Sequence, residues 1–430
     1  MKAMNIKTRF APSPTGIMHI GSVRTALYAY LVARHNKGTF TLRIEDTDQN
    51  RLVEGSVNDI IDSLKWLGLQ FDEGPIYQSE RKEVYEKYAR ELVSSGAAYE
   101  KDGAIWFKLP EDGKVIFTDI IGSRKIEFEN SSQKDFVLLK SDGFPTYHLA
   151  HVVDDHLMET NPVIRAEEWL PSTPKHILLF KAFGWEAPDY AHIPLILGTD
   201  RSKLSKRHGA KGATEFRKDG FLAEAILNYM ALLGWTPPSG KEILSLDEMI
   251  EEFDLKNVHI APAVFDLTKL EWMNGEYIRK MSDMELTKRL QEFLVDHPAP
   301  EKIGPLVPLI KERIKTLADF VLLTNFITEE PEYDLSVFEK IKIVNQKQVL
   351  EKINEEMQKL GKDWKSDVFE KTFKDLATEL DIKVGDMFQL IRIAVSGQSV
   401  TPPLFESIQI LGEDEALKRV MNVAKKFPNF

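Results

Sequence analysis

Cysteine is absent from all 430 residues, which removes disulfides, thiolate nucleophiles and every cysteine-based zinc site. Long apolar runs are absent too. A membrane span needs ~18 apolar residues or more, and the longest clusters here, such as 177–180 and 193–197, are core-sized. Residues 1–7 lack the apolar core of a secretory signal. A soluble cytoplasmic protein with no membrane partner is therefore expected. Basic residues are outnumbered, 56 Lys and Arg against 67 Asp and Glu, for a net charge of −11. Phosphates are neutralised by lysine and arginine, so this balance counts mildly against a nucleic-acid partner. Net charge is only an average, however, and a basic face can coexist with an acidic remainder. Arg201, Lys203, Lys206, Arg207, Lys211, Arg217 and Lys218 form one such local cluster. The length exceeds the ~250–300 residues at which single cores stop growing, so two to four domains are expected.

The first segment reads as strand, turn, helix, strand. Residues 7–10 are a short strand candidate. Ala11-Pro12-Ser13-Pro14-Thr15-Gly16 is turn chemistry. Val23, Leu27, Tyr30 and Leu31 recur at helical spacing within a helix over 19–35, and Gly38 sits where its C-cap is expected. Residues 39–44 alternate apolar and polar like a strand. This β-α-β unit implies a parallel sheet with nucleotide-binding potential. Helices fit 55–67 and 81–94. Short strand-like runs at 104–109, 115–121, 126–128 and 136–139 suggest an inserted β-containing domain. Residues 152–153 and 174–183 return to α/β character, and 192–197 read as a buried strand. From Phe221 onward the pattern is almost all helix, with candidates at 222–233, 246–252, 267–273, 283–294, 318–324, 347–359 and 369–380. Pro298-Ala299-Pro300 marks a plausible boundary before a helical C-terminal module.

Two short stretches carry chemistry. His19-Ile20-Gly21-Ser22 opens the first helix, where backbone N–H groups and a partial positive charge suit a phosphate. Gly21 would let a nucleotide approach the backbone, and His19 could donate to a phosphate oxygen. Taken alone, four residues are better explained by an ordinary capped helix with an exposed histidine. Lys203-Leu204-Ser205-Lys206-Arg207 follows the last predicted strand on a loop marked by Gly198, Asp200 and Gly209. Three cations and a hydroxyl there suit a leaving polyphosphate, whose charge grows in the transition state. Alone, this too is better explained by a solvated basic loop.

The pair resembles the two signatures of class I aminoacyl-tRNA synthetases, a His-x-Gly-His-like tetrad and a Lys-Met-Ser-Lys-Ser-like loop that grip ATP. Ser22 stands fourth in the tetrad here and Arg207 last in the loop, both familiar variants of the glutamyl/glutaminyl subgroup. Further blocks resemble the bacterial-type glutamyl-tRNA synthetases. They are Thr8-Arg9-Phe10-Ala11-Pro12-Ser13-Pro14-Thr15-Gly16, Arg43-Ile44-Glu45-Asp46-Thr47-Asp48, Asp142-Gly143-Phe144-Pro145-Thr146-Tyr147-His148-Leu149-Ala150, Val152-Val153-Asp154-Asp155-His156 and Val163-Ile164-Arg165-Ala166-Glu167-Glu168-Trp169. They occur in the family's order over residues 8–277.

The resemblance implies a ligase that activates L-glutamate with ATP and Mg²⁺ and esterifies it to tRNA(Glu). It implies an amino-acid pocket of Arg9, Ala11, Ser13, Glu45, Tyr147, His151, Arg165 and Trp169. It implies an ATP site of Ser13, His19, Gly21, Glu168, Lys203, Ser205 and Lys206. The chemistry agrees: Arg9 and Arg165 can each bind a carboxylate in fork geometry, Glu45 can pair the ammonium, Tyr147 can add a hydroxyl and Trp169 a wall. Position 151 is often asparagine in the family, so His151 is a departure. Many members also carry a zinc site in the acceptor-binding insert; residues 99–107 are short and cysteine-free here, so no structural zinc and no metal ligand are expected.

The expected architecture is multidomain α/β plus all-α. A Rossmann-type parallel-sheet catalytic domain spans 1–86 and 148–200, with an inserted acceptor-binding domain at 87–147. A stem-contact region follows at 201–290, then an all-helical anticodon-binding domain at 291–430. Asp48, Arg51 and Arg313 are the candidate tRNA contacts, and a monomer is expected. Three alternatives stay open: an enzyme that also or only charges tRNA(Gln), a truncated synthetase-like enzyme that modifies a tRNA base, and an inactive paralogue that binds tRNA. The roughly 130 residues after 300 argue against the truncated enzyme, and the intact His19, Glu45, Arg165, Lys203 and Lys206 against the paralogue. The Gly234 to Lys241 stretch is not a P-loop, since its spacing is too long and Glu242 replaces the Ser/Thr. Asp154-Asp155 suits a structural or substrate-orienting role better than a metal site.

Overall fold

The computed structural model of the chain describes residues 6–209 and 211–427, with the side chain of Lys206 outside the described set. Two compact units divide at Met273/Asn274. The first unit begins β1 (Lys7–Phe10), α1 (Ile20–His35), β2 (Thr39–Ile44), α2 (Ser56–Trp66), β3 (Glu73–Tyr77) and α3 (Lys82–Ser94). Five strands follow: β4 (Ala98–Lys101), β5 (Ala104–Phe107), β6 (Lys114–Asp119), β7 (Arg124–Glu129) and β8 (Phe136–Leu139). Then come α4 (Tyr147–Leu157), β9 (Val163–Ala166), α5 (Thr173–Ala182), β10 (Tyr190–Ile193) and β11 (Ile196–Leu197). The unit ends with α6 (Ala213–Lys218), α7 (Ala223–Leu232), α8 (Leu246–Glu252), β12 (Ala263–Val264) and α9 (Leu267–Lys280), which crosses the division.

β1, β2 and β3 form a parallel sheet, as the β-α-β pattern requires. A second sheet runs β7-β6-β10-β9, with β9, β10 and β6 parallel and β7 antiparallel. Strand β6, from the predicted insert, thus lies beside β10. α1 is buried from Ala26 to Ala33 and packs against β1, β2 and β9 as well as α7 and α8. A helix covered on so many sides has no polar stripe, which is why its apolar residues run nearly all round. The alternation in β2 misleads for the same reason. Parallel sheets are covered on both faces, and the polar Thr41 and Arg43 are buried with the rest.

The expected C-cap at Gly38 is corrected. The left-handed residue after α1 is Lys37, with φ 54°, and the helix is capped at Asn36. Gly38 is needed for a different reason: a Cβ there would lie 2.0 Å from the Ile6 carbonyl oxygen, where the chain enters β1. Gly38→Ala is therefore expected to force β1 away from the helix end and destabilise the first unit by about 1–3 kcal/mol. A thermal unfolding midpoint unchanged within error would refute this. The single strand expected at 192–197 is instead β10 and β11, interrupted at Pro194, which has no N–H to continue a ladder.

The second unit continues α10 (Asp283–Phe293), α11 (Pro300–Ile310), α12 (Asp319–Thr324), α13 (Gln346–Leu360), α14 (Ser366–Glu379), α15 (Val384–Ser396), α16 (Leu404–Leu411) and α17 (Glu413–Ala424). Its described residues contain no strand. α17 packs on α13, α15 and α16. Arg419, buried on α17, ties the unit together by donating to the carbonyls of Phe326, Val395 and Glu329 and to Glu415.

Candidate active site

Residues of the predicted site meet in a cleft of about 540 Å³ in the first unit. Arg9 and Phe10 end β1, Glu45 follows β2, Arg165 and Ala166 end β9, and Pro194 follows β10. The carboxyl ends of parallel strands are where α/β sheets place ligands, because the turns leaving them open a crevice. Ala11, Ser13, His19, Gly21, Tyr147, Glu168, Trp169 and Lys203 complete the predicted lining.

Arg9 and Arg165 line its floor, with Arg43 fully buried behind Glu45, and the three are not alike. Arg9 donates from Nε (3.0 Å) and Nη2 (3.3 Å) to the two oxygens of Asp155 and from Nη1 to the Ile164 carbonyl (3.2 Å). Its fork edge is therefore already filled by a carboxylate of the protein. Arg43, fully buried, donates to Asp155 at 2.7 Å and to Glu45 at 3.1 Å. Burial opposes that charge, but Asp155, Glu45 and Asp154 outweigh it and leave the guanidinium more basic than usual. Burial likewise raises the Asp155 carboxyl, yet Arg9 and Arg43 prevail and hold it below its ordinary value. Glu45 is the opposite case: burial dominates over Arg43 and Arg9, and its carboxyl is raised. A substrate cation beside Glu45 would bring it back down.

Arg165 is 4% exposed, and among the described residues it makes no ion pair. Its donors go to neutral acceptors: Nε to His192 Nε2 (3.2 Å), Nη2 to Thr173 Oγ1 (2.9 Å), and Nη1 towards His176 Nδ1 (3.1 Å), His151 Nε2 (3.3 Å) and the Tyr147 hydroxyl (3.4 Å). The Tyr147 ring lies flat on His151 at 5.2 Å and meets Trp169 at 4.2 Å. A buried cation surrounded by dipoles but no anion is costly by itself, and it is suited to an incoming anion.

At the other end, His19 caps α1, and its Nδ1 accepts the Gly21 N–H at 3.1 Å. The ring proton therefore sits on Nε2, a donor. The Ser22 and Val23 N–H groups bond to the His19 carbonyl. The helix start is thus largely satisfied by its own cap, as the capped-helix reading of these four residues alone expects. Lys203 pairs with Glu168 at 2.5 Å, which links the Lys-Leu-Ser-Lys-Arg loop to the turn after β9. Asp59 joins the start of α1 to α6, accepting from the Met18 N–H (2.7 Å) and the Thr214 hydroxyl (2.9 Å).

Comparison with known proteins agrees with this geometry. A family described as tRNA synthetases class I (E and Q), catalytic domain, matches residues 5–104 and 100–272. The chain belongs to that family. A second family, an anticodon binding domain, matches residues 285–424 of this synthetase. A glutamate–tRNA ligase of Dehalococcoides mccartyi is 42% identical, with 96% of each chain covered. One from Treponema denticola is 39% identical over 99% of this chain and 100% of its own. A crystal structure of a glutamate tRNA ligase from Elizabethkingia meningosepticum, in complex with its amino acid, superposes with a TM-score of 0.87 at 32% identity, covering 98% and 99% of the two chains.

Not every predicted residue of the synthetase reaches the cleft. Ser205 does not line it; its backbone N–H and hydroxyl face His208 Nδ1, both at 3.1 Å. His208 is a loop anchor that the sequence reading passed over. It reaches Asp200 at 3.1 Å, and a Cβ on Gly198 would lie 2.6 Å from its ring, so glycine is required there. The Lys206 side chain lies outside the described residues. Asp48 and Arg51 are exposed at the short 3-10 turn after β2, away from the cleft lining. Arg313 belongs to the second unit, where Nη1 donates to the Thr401 carbonyl at 2.8 Å. Arg24 is a further cleft residue that was missed, clamping the carbonyls of Leu233 and Pro194. No helix among the described residues is long and apolar enough to cross a membrane.

Proposed function

We propose that this chain is a glutamate–tRNA ligase, acting in translation, that adenylates L-glutamate and transfers it to the 3′ end of tRNA(Glu). The observation that carries this reading is Arg165: a buried cation with no carboxylate partner among the described residues, at the floor of a cleft whose lining includes His19 and Lys203. Glutamate places its side-chain carboxylate on Arg165, its ammonium on Glu45, and its apolar stem along Tyr147 and Trp169. Its α-carboxylate then attacks the α-phosphorus of ATP, and pyrophosphate leaves with the Mg²⁺ that came with the nucleotide. His19 Nε2–H donates to a phosphate oxygen at the open face of Gly21, with Ser13 beside it. Lys203, with Lys206 and Ser205 on the same loop, meets charge that builds on the leaving group. The terminal adenosine of tRNA attacks the acyl carbon next, and AMP departs. No protein nucleophile is needed; positioning and charge stabilisation carry the rate.

We assign residues 1–86 and 148–200 to catalysis, 87–147 to the acceptor end, 201–290 to the stem and 291–430 to the anticodon. Asp48, Arg51 and Arg313 are the tRNA contacts of this assignment. The enzyme is read as a cytoplasmic monomer. Charging of tRNA(Glu) and tRNA(Gln) with labelled glutamate and ATP tests the reading. Lys203→Ala is expected to lower kcat about 10²-fold, since a single removed charge-stabilising donor costs about that much. Glutamate on tRNA(Glu) alone supports the strict form. Glutamate on both tRNAs makes the enzyme non-discriminating. Transfer to neither overturns the ligase and favours an inactive tRNA-binding paralogue.

A further inference from the structure

The mechanism above uses Arg165 but not the histidines that surround it. Arginine nitrogens can only donate, so every ring nitrogen facing Arg165 must present a lone pair. That fixes each tautomer in turn. His192 Nε2 faces Arg165 Nε, so its proton lies on Nδ1, and Nδ1 is 2.5 Å from Asp119 Oδ2. His151 Nε2 faces Arg165 Nη1, which leaves the proton on Nδ1; there it points to Asp155 Oδ2 at 3.0 Å, with Arg9 Nη2 farther off at 3.4 Å. His176 Nδ1 faces Arg165 Nη1, so Nε2–H donates to His148 Nδ1 at 3.0 Å. All of these histidines except His148 are fully buried, and burial together with Arg165 disfavours the charged form of each ring.

We propose that His192, held by Asp119, is a positioning residue for Arg165. It fixes the guanidinium to receive the side-chain carboxylate of glutamate while supplying no charge that would neutralise it. This inference rests on the proposed function for the identity of the anion. The argument is one of exclusion. An aspartate or glutamate at position 192 would orient Arg165 equally well but would neutralise it, as Asp155 does for Arg9. An imidazole with its far nitrogen anchored does the orienting alone. Asp119 also accepts the backbone N–H groups of His192 (3.2 Å) and Ile121 (2.9 Å), so the anchor is itself rigid. It ends β6, the strand of the predicted acceptor-binding insert that lies beside β10. The amino-acid pocket is therefore braced by a residue of the insert.

The test compares His192→Leu with His192→Gln in tRNA charging. Leucine keeps bulk but offers no acceptor; glutamine can place an oxygen where Nε2 was. His192→Leu is expected to raise KM for glutamate about 10-fold or more, the scale of one lost hydrogen bond to a charged group. KM for ATP should stay within about 2-fold, and glutamine should recover most of the loss, since it restores that bond. Equal KM for glutamate in both variants and the wild type overturns the proposal. A general structural defect would instead move both KM values or resist rescue by glutamine. If the variants do not fold, the unaltered protein still decides. Long-range ¹H–¹⁵N spectra of histidine-labelled enzyme, without substrates, should show His192 protonated at Nδ1 alone. A proton on Nε2 overturns the proposal, because that nitrogen could not then accept from Arg165. Wild-type protein that shows the expected tautomer but charges no tRNA would count against the proposed function and leave the geometry standing.

Discussion

Arg165→Gln is expected to raise KM for glutamate about 10³-fold while leaving thermal stability unchanged or slightly higher. Truncating one partner of a buried, hydrogen-bonded charge pair costs about 2–5 kcal/mol, mostly because the other charge is left buried and unpaired; about 4 kcal/mol corresponds to 10³-fold. The stability arm runs the other way. In the free enzyme, among the described residues, Arg165 has only imidazoles, a hydroxyl of threonine and one of tyrosine as acceptors. Removing an uncompensated buried charge relieves a desolvation cost rather than exposing one. Arg9 makes the contrast. Its fork is filled by Asp155, so Arg9→Gln should lower stability as well as activity. Steady-state charging with a glutamate titration, beside thermal melts of both variants, separates the two. A KM for glutamate within about 5-fold of wild type in Arg165→Gln would remove Arg165 from the substrate pocket, since even a weak charge-assisted bond is worth more.

That contrast between two arginines was not legible in the sequence. Both lie in family-like blocks, and both have the same fork. What separates them is Asp155, 146 residues from Arg9, and the ring of His151, His176 and His192 gathered from α4, α5 and β10. Local pattern was more informative where contacts are local. The β1-α1-β2 unit was legible from its local signals, the proline and glycine turn at 11–16 between short apolar segments, although α1 and β2 are covered on nearly every side and bury residues at no single repeat. α11 was missed because Pro300, Pro305 and Pro308 read as breakers, although Pro300 sits in the first turn, where proline is tolerated. β3 was missed because Gly74-Pro75 reads as a turn. The two signature motifs were weak singly. Their meaning came from meeting in one cleft, a fact of the fold: residue 19 bridges to Gly212, and Lys203 reaches Glu168.

Asp155→Asn is expected to be the most destabilising single change in the site. The carboxylate accepts from Arg9 Nε and Nη2, from Arg43 Nη1 at 2.7 Å and from His151 Nδ1, and is itself buried. Asparagine has nearly the same shape, so packing is kept, but two buried guanidiniums lose their shared anion. Breaking a buried pair by removing one partner costs about 3–5 kcal/mol, which for a unit of this size lowers Tm on the order of 10 °C. The pH dependence carries the signature. Arg9 and Arg43 hold the Asp155 carboxyl below its ordinary value despite burial. Its contribution is therefore fully present above the unfolded pKa of about 3.9 and is lost only as pH falls through the lower folded value. The gap between wild type and variant should stay constant from about pH 5 to 8 and close below about pH 4. A gap that instead narrowed towards neutral pH would mean that Asp155 is not the ionised partner of the two arginines. The floor of the cleft would then be organised by Asp154 and Glu45 alone.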